Sequence, residues 1–177
     1  MSGHSKWAQI KHKKAATDAK RGNLFSKLAR AVSVAAKEGG GDPATNPKLR
    51  LAVERARNFN MPTDNIERAL AKASGEGAQV EQVVYGAYGP GGCALVIEAY
   101  TDNRNRTVQE LKHLLALHGG TLANPGAAAW AFQKNAEGKL EAMMPIELSD
   151  EDAQKMAELS DALEDHDDIN EVYTSAA

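Results

Sequence analysis

Cysteine is almost missing from this chain of 177 residues. Cys93 stands alone, which excludes an internal disulfide and any Cys-rich zinc site and fits a reducing compartment. No apolar run reaches the length needed to cross a bilayer, and the first residues are basic and polar where a signal peptide needs an apolar core. A cytoplasmic protein without a membrane partner is expected. Signs of catalysis are equally scarce. GPGG after Tyr88 precedes a strand-like run and lacks the Gly-Lys-Ser/Thr ending of a phosphate loop, so it reads as a hairpin turn. His113, His118 and His166 stand near no serine or cysteine nucleophile recognisable by spacing, and the acids between Glu147 and Asp168 have the spacing of one wet helix face. Triads do assemble from distant positions. The absences therefore favour a binding protein, with no catalytic residue, cofactor or small-molecule substrate expected.

What is present is an uneven distribution of charge. The net charge of −3 hides 15 basic against 6 acidic residues through Lys72, a local +9, and 6 basic against 18 acidic residues beyond it, a local −12. Such asymmetry points to a polyanion met by the first part, although two mutually attracting solvated faces would also produce it. Lys6, Lys11, Lys13, Lys14, Lys20 and Arg21 crowd into the first 21 residues with Asp18 as the only acid. That concentration favours the polyanion.

Periodicity divides the chain near Ser74 to Gly77. Before that point three amphipathic helices are predicted. Leu24, Phe25, Leu28, Val32 and Ala35 share one face of the first at 3.6-residue spacing, with Lys27, Arg30 and Lys37 turned away and Gly39 to Gly41 as its stop. Asn46-Pro47 opens the second, with Leu49, Ala52, Val53 and Ala56 inward and Arg50 and Arg57 opposite. The third starts around Pro62 to Asp64, where Asp64 and Glu67 have capping-box spacing, and turns Ile66, Leu70 and Ala73 inward. Residues 1–76 thus read as a basic arm leading into a three-helix bundle. In the arm, Trp7 is available to stack on a base or, more plainly, to pin the arm to the bundle. His4 and His12 lack a thiol or carboxylate at ligand spacing, so no metal is expected there.

Beyond residue 77 the period becomes two. EQVVYGAYG and CALVIEAYT read as strands, with Cys93, Leu95, Ile97 and Ala99 on one face; a helix follows with Val108, Leu111 and Leu115 inward. AAAWAF and KLEAMMP are two further strand candidates, with Trp130, Phe132, Leu140, Ala142 and Met144 as their alternating apolar positions. A Ser149-capped helix with Ala153, Met156, Leu159 and Leu163 inward and a closing strand INEVYTSA complete the order ββαββαβ. The expected class is α+β. Residues 77–177 would form a ferredoxin-like α/β sandwich with an antiparallel sheet, an added strand and both helices on one face.

One short stretch conflicts with local electrostatics. TDNRNRT, residues 101–107, places Arg104 and Arg106 at the start of a helix, whose N-terminal dipole disfavours cations. A phosphate bound there by Arg104, Asn105 and Arg106, beside backbone N–H groups, would make the placement favourable. Neutralisation by Asp102 or a neighbouring acid of the acidic domain is the plainer alternative.

MSGHSKWAQIKHKKAATDAKRG, GGGDPATNPKLR, NMPTDNIERA, YGAYGPGG, TDNRNRT, HGG and WAF, in this order, resemble the YebC family, which includes the mitochondrial translational activator of cytochrome c oxidase subunit I. The likeness runs from Met1 to Phe132 and resumes at AMMPIELSDEDAQKMAELSDALEDHDDINEVY. It implies a helical N-terminal domain, α/β material beyond it, and a role in gene expression without enzymatic activity, on the ribosome or on DNA. It also implies several dozen further residues between WAF and AMMP, forming a third domain, where this chain has only QKNAEGKLE. Together with the charge pattern, the resemblance suggests a translation factor on ribosomal RNA, with a transcription regulator on duplex DNA as the alternative. Lys6, Trp7, Lys11, His12, Lys13, Lys14, Lys20, Arg21, Arg104, Asn105 and Arg106 are the candidate contacts.

Overall fold

A computed structural model describes residues 18–75 and 80–177, with the side chains of residues 18–21 and of Pro125 outside that description. The described chain falls into two compact units, one helical and running to Gln82 together with Tyr100–Asn103, the other built from the remaining strands and helices.

The helical unit contains α1 (Asp18–Gly39), α2 (Pro47–Asn58) and α3 (Thr63–Ala73). Their apolar stripes meet in one cluster of Leu28, Val32, Ala35, Leu49, Val53, Ala56, Met61, Ile66 and Ala69, with Leu24, Phe25, Ala52, Leu70 and Ala73 packed around it. Burial of several aliphatic side chains at about 1.5–3 kcal/mol each holds helices of this length together, because short helices in isolation are marginal. Asn46 joins two of them. Its Oδ1 accepts from the Leu49 N–H at 3.1 Å, capping α2, while its Nδ2 donates to the carbonyls of Ala35 at 2.8 Å and Gly40 at 2.9 Å at the end of α1. One buried amide therefore satisfies groups that two helix termini would otherwise leave open. Two expectations fail locally. Lys27 is buried, and α3 begins after Pro62 with no side-chain cap, leaving Asp64 in its first turn as a dipole partner only.

In the second unit β1 (Glu81–Tyr88) and β2 (Ala94–Thr101) are neighbours joined through a short 3-10 turn, Pro90–Gly92, and so close that they must run antiparallel. α4 (Arg104–Leu117) follows, then β3 (Thr121–Ala123), α5 (Pro125–Ala129), β4 (Phe132–Lys134), β5 (Leu140–Ala142), α6 (Asp150–Asp165) and β6 (Ile169–Thr174). The main sheet has the order β3-β1-β2-β6. β3 pairs antiparallel with β1 through Gly86↔Ala123 and Tyr88↔Thr121, and β6 pairs antiparallel with β2 from Leu95↔Thr174 to Ala99↔Ile169. β2 and β3 are consequently parallel with β1 between them, a split β-α-β unit as in ferredoxin-like sheets, whereas the next strand of the sheet, β6, lies at the opposite edge beside β2, so the strand order departs from the ferredoxin-like one.

β2 is buried on both sides. Cys93, Leu95, Ile97 and Ala99 face Leu111 and Leu115 of α4 and Met156, Leu159 and Leu163 of α6. Ala94 and Val96 on the reverse face pack with Ala128, Ala131 and Phe132, joined by Leu140, Ala142 and Tyr173. Both long helices lie on one face, as the periodicity implies.

The strand count differs from the predicted one. β4 and β5 pair only with each other, as a separate two-stranded sheet with Phe132↔Ala142 and Lys134↔Leu140 in register, and the main sheet takes its fourth strand from β3. AAAWAF does not form one strand. Pro125 opens a helical turn that its alanines continue, and Trp130 ends 60% exposed; Met144 beyond β5 is 68% exposed. The hairpin turn is tied by Asn135, whose Oδ1 accepts from the N–H groups of Glu137 and Lys139, each at 3.0 Å, and by Gly138 at φ 78°.

Candidate nucleic-acid interface

Of the candidate contacts, Lys6, Trp7, Lys11, His12, Lys13 and Lys14 lie outside the described residues, and so do the side chains of Lys20 and Arg21. Arg104, Asn105 and Arg106 form the first turn of α4, all exposed, with no acid in that turn. The Thr101 hydroxyl accepts from the Asn103 N–H at 2.9 Å and shapes the turn leading in.

Arg106 is held by acids from elsewhere in its unit. Its Nη2 donates to Asp168 Oδ2 at 2.8 Å, and its Nε lies 4.0 Å from Glu110 Oε2 one helical turn on. The same Asp168 oxygen accepts from the buried Thr107 hydroxyl at 2.8 Å. Asp168 is only 5% exposed, so these bonds offset the cost of burying its carboxylate. His166 extends the network: its Nδ1 accepts from the Asp168 N–H at 3.1 Å, which leaves Nε2 to donate to Glu110 Oε2 at 2.8 Å. Glu110, His166 and Asp168 bring ligand-type atoms within 4.8 Å of one another. A guanidinium already sits on Asp168 and both imidazole nitrogens are used. The cluster therefore fastens the α4 N-terminus to the start of β6 without needing a metal.

Cys93 offers no nucleophile. It is fully buried beside the Met156 sulfur at 3.7 Å, and desolvation pushes its thiol pKa up, outweighing hydrogen bonds that lower it.

The helical unit carries a feature that reading each helix separately missed. A groove of about 790 Å³ runs between α1 and α3. Arg30 and Lys37 line it from α1 and Arg68 and Lys72 from α3, with Phe25 and Asn65 beside them and no carboxylate among its described lining residues. The Ser33 hydroxyl donates to the Ala69 carbonyl at 2.7 Å and braces the two helices beneath it. The seven-residue spacing of Arg30 and Lys37 was visible as a helix face. That Arg68 and Lys72 join them is a tertiary fact with no local signal.

Taken together, the elements define a cationic three-helix unit followed by an α+β unit with a four-stranded antiparallel sheet. Residues 5–76 match the family described as the TACO1/YebC protein N-terminal domain, and residues 80–141 match the TACO1/YebC second and third domain. The chain belongs to the TACO1/YebC family. A protein of Chlorobium luteolum named "Probable transcriptional regulatory protein" is 50% identical over 177 residues, covering 98% of this chain and 69% of that relative. A Thermosipho melanesiensis protein of the same name is 58% identical over 136 residues, and the match spans just 54% of its length. A third, from Chloroherpeton thalassium, is 42% identical over an alignment of 237 residues that covers 99% of this chain and 95% of the relative. The crystal structure of a conserved hypothetical protein from Aquifex aeolicus superposes with a TM-score of 0.84 at 34% identity, covering 98% of this chain and 97% of that one. No described helix is long and apolar enough to cross a membrane.

Proposed function

We propose that this chain is a non-enzymatic, nucleic-acid-binding regulator of gene expression that works in the cytoplasm on the RNA of the ribosome. The observation that carries the reading is the segregation of charge, +9 through Lys72 against −12 beyond it. The helical unit packs most of its apolar residues into its own core, with Leu51 and Phe59 exposed, and leaves Lys37, Arg50, Arg57, Arg68 and Lys72 exposed as well. Neutralising phosphates with such side chains releases counterions, so binding should weaken steeply with salt. The basic segment before α1 adds Lys6, Lys11, Lys13, Lys14, Lys20 and Arg21, with Trp7 and His12 among them, and the start of α4 adds Arg104, Asn105 and Arg106 as a second contact. Structured RNA offers dense phosphate together with unstacked bases.

The names of the bacterial relatives favour a second reading, a transcription regulator on duplex DNA. Arg50 and Arg57 on α2 would then have to reach base edges. Sedimentation of cell extract through a gradient at low and high salt, with and without ribonuclease, separates the two. Ribosome co-migration that ribonuclease and salt abolish supports the RNA reading. Free migration in every condition, with selective retention of a promoter fragment, would replace it by the DNA reading.

A further inference from the structure

We propose that the groove between α1 and α3 is a binding site for a single-stranded nucleic-acid segment, held by its phosphodiester backbone. The inference rests on the nucleic-acid reading above and gives it a location. Lys37, Arg68 and Lys72 supply the charge. Among the described residues Lys37 and Lys72 have no ion-pair partner, and Arg68 donates to Asn65 Oδ1 at 2.9 Å, which fixes the guanidinium without neutralising it. Arg30 lines the groove as well but already donates to the Tyr100 carbonyl at 3.4 Å, so it has a positioning role at the rim.

Charge and shape together select the ligand. An acidic peptide could match the cations, but Arg68 and Lys72 stand about 6 Å apart along α3 at about 1.5 Å per residue, a spacing that suits a chain of regularly repeated anions. A single strand can lie in a cleft between two packed helices, whereas a duplex presents a broader convex cylinder that meets such a cleft at its rim. Phe25, partly buried among the lining residues, offers an apolar surface to an unstacked base, the usual complement of a cationic track for single strands.

The test is fluorescence anisotropy on the full chain with labelled oligouridylate, oligothymidylate of equal length and a duplex of equal phosphate content, titrated across salt concentrations. Lys37→Ala, Arg68→Ala and Lys72→Ala combined should weaken single-strand binding about tenfold or more and reduce the salt slope by about two units. Lys37→Arg should retain binding, and Lys112→Ala with Lys139→Ala in the other unit should change it little. Circular dichroism of each variant reports its folding. Unchanged affinity and slope in the folded triple variant, tighter binding of the duplex, or equal displacement by inorganic phosphate at the same phosphate concentration would overturn the groove assignment while leaving nucleic-acid binding intact. A parent protein that binds none of the three probes would remove the underlying reading as well. The oligouridylate and oligothymidylate arms identify whether RNA or DNA is the source of the strand.

Discussion

Replacing Asp168 by alanine should destabilise the sheet-bearing unit by about 2–4 kcal/mol. The substitution removes the acceptor for two hydrogen bonds of 2.8 Å, one of them from the fully buried Thr107 hydroxyl. Loss of a buried hydrogen bond to a charged acceptor costs about 1–3 kcal/mol. The Arg106 pair adds less, because that side chain is 44% exposed and solvent screens it; about 1 kcal/mol is its upper share. With an m-value of about 2 kcal/mol/M, the urea midpoint followed by circular dichroism should fall by about 1–2 M. Thr107→Val sharpens the test. If the hydroxyl and carboxylate are coupled, the double variant should cost at least about 1 kcal/mol less than the sum of the single ones. A midpoint for Asp168→Ala within about 0.5 kcal/mol of the parent, or strictly additive costs, would refute the view that this carboxylate anchors the α4 N-terminus.

Three other outcomes follow from the same geometry. Asn46→Ala should cost about 2–3 kcal/mol in chemical denaturation, since it removes a helix cap and the two hydrogen bonds its amide donates to the carbonyls of Ala35 and Gly40; Asn46→Asp, which keeps the cap alone, should recover only part. Gly120→Ala should cost about 1–3 kcal/mol and loosen the β1–β3 edge in hydrogen exchange, because its Cβ would lie 2.9 Å from the Tyr88 carbonyl oxygen. Cys93 should resist aromatic disulfide reagents until the protein unfolds. Its folded pKa lies above the ordinary 9.0, so the unfolded thiol ionises first; the contribution is complete below pH 9 and is lost as pH rises through the folded pKa, and Cys93→Ala should flatten that part of the stability profile.

The long periodic elements were legible because a strong local signal and the tertiary contact agree. Val32 and Ala35, Val53 and Ala56, and Leu159 and Leu163 all point where their spacing says. β3 was missed since three residues after Gly119-Gly120 carry no period at all, and their strand character comes from pairing with β1. AAAWAF misled because alanine alternates as readily in a helix as in a strand, and only the preceding Pro125 favoured the turn. At the candidate site, TDNRNRT announced a conflict of charge, but the acid that meets Arg106 stands 62 residues away in sequence, where no local pattern could indicate it. The groove has the same character: each helix displays its cations, and only packing decides which rows face each other.

The β4–β5 hairpin makes chain length a nearly independent variable. Lys134 and Leu140 are paired, so the chain leaves and re-enters the unit at points about 5 Å apart. Loop closure grows by only about 0.6 kcal/mol per doubling of length, which is small beside the core that β4, β5 and the reverse face of β2 share. Evolution can therefore lengthen or shorten this joint while the sheet that hosts it stays the same. Size in this family is free to drift under selection for what an added segment does, with little penalty from the fold that carries it.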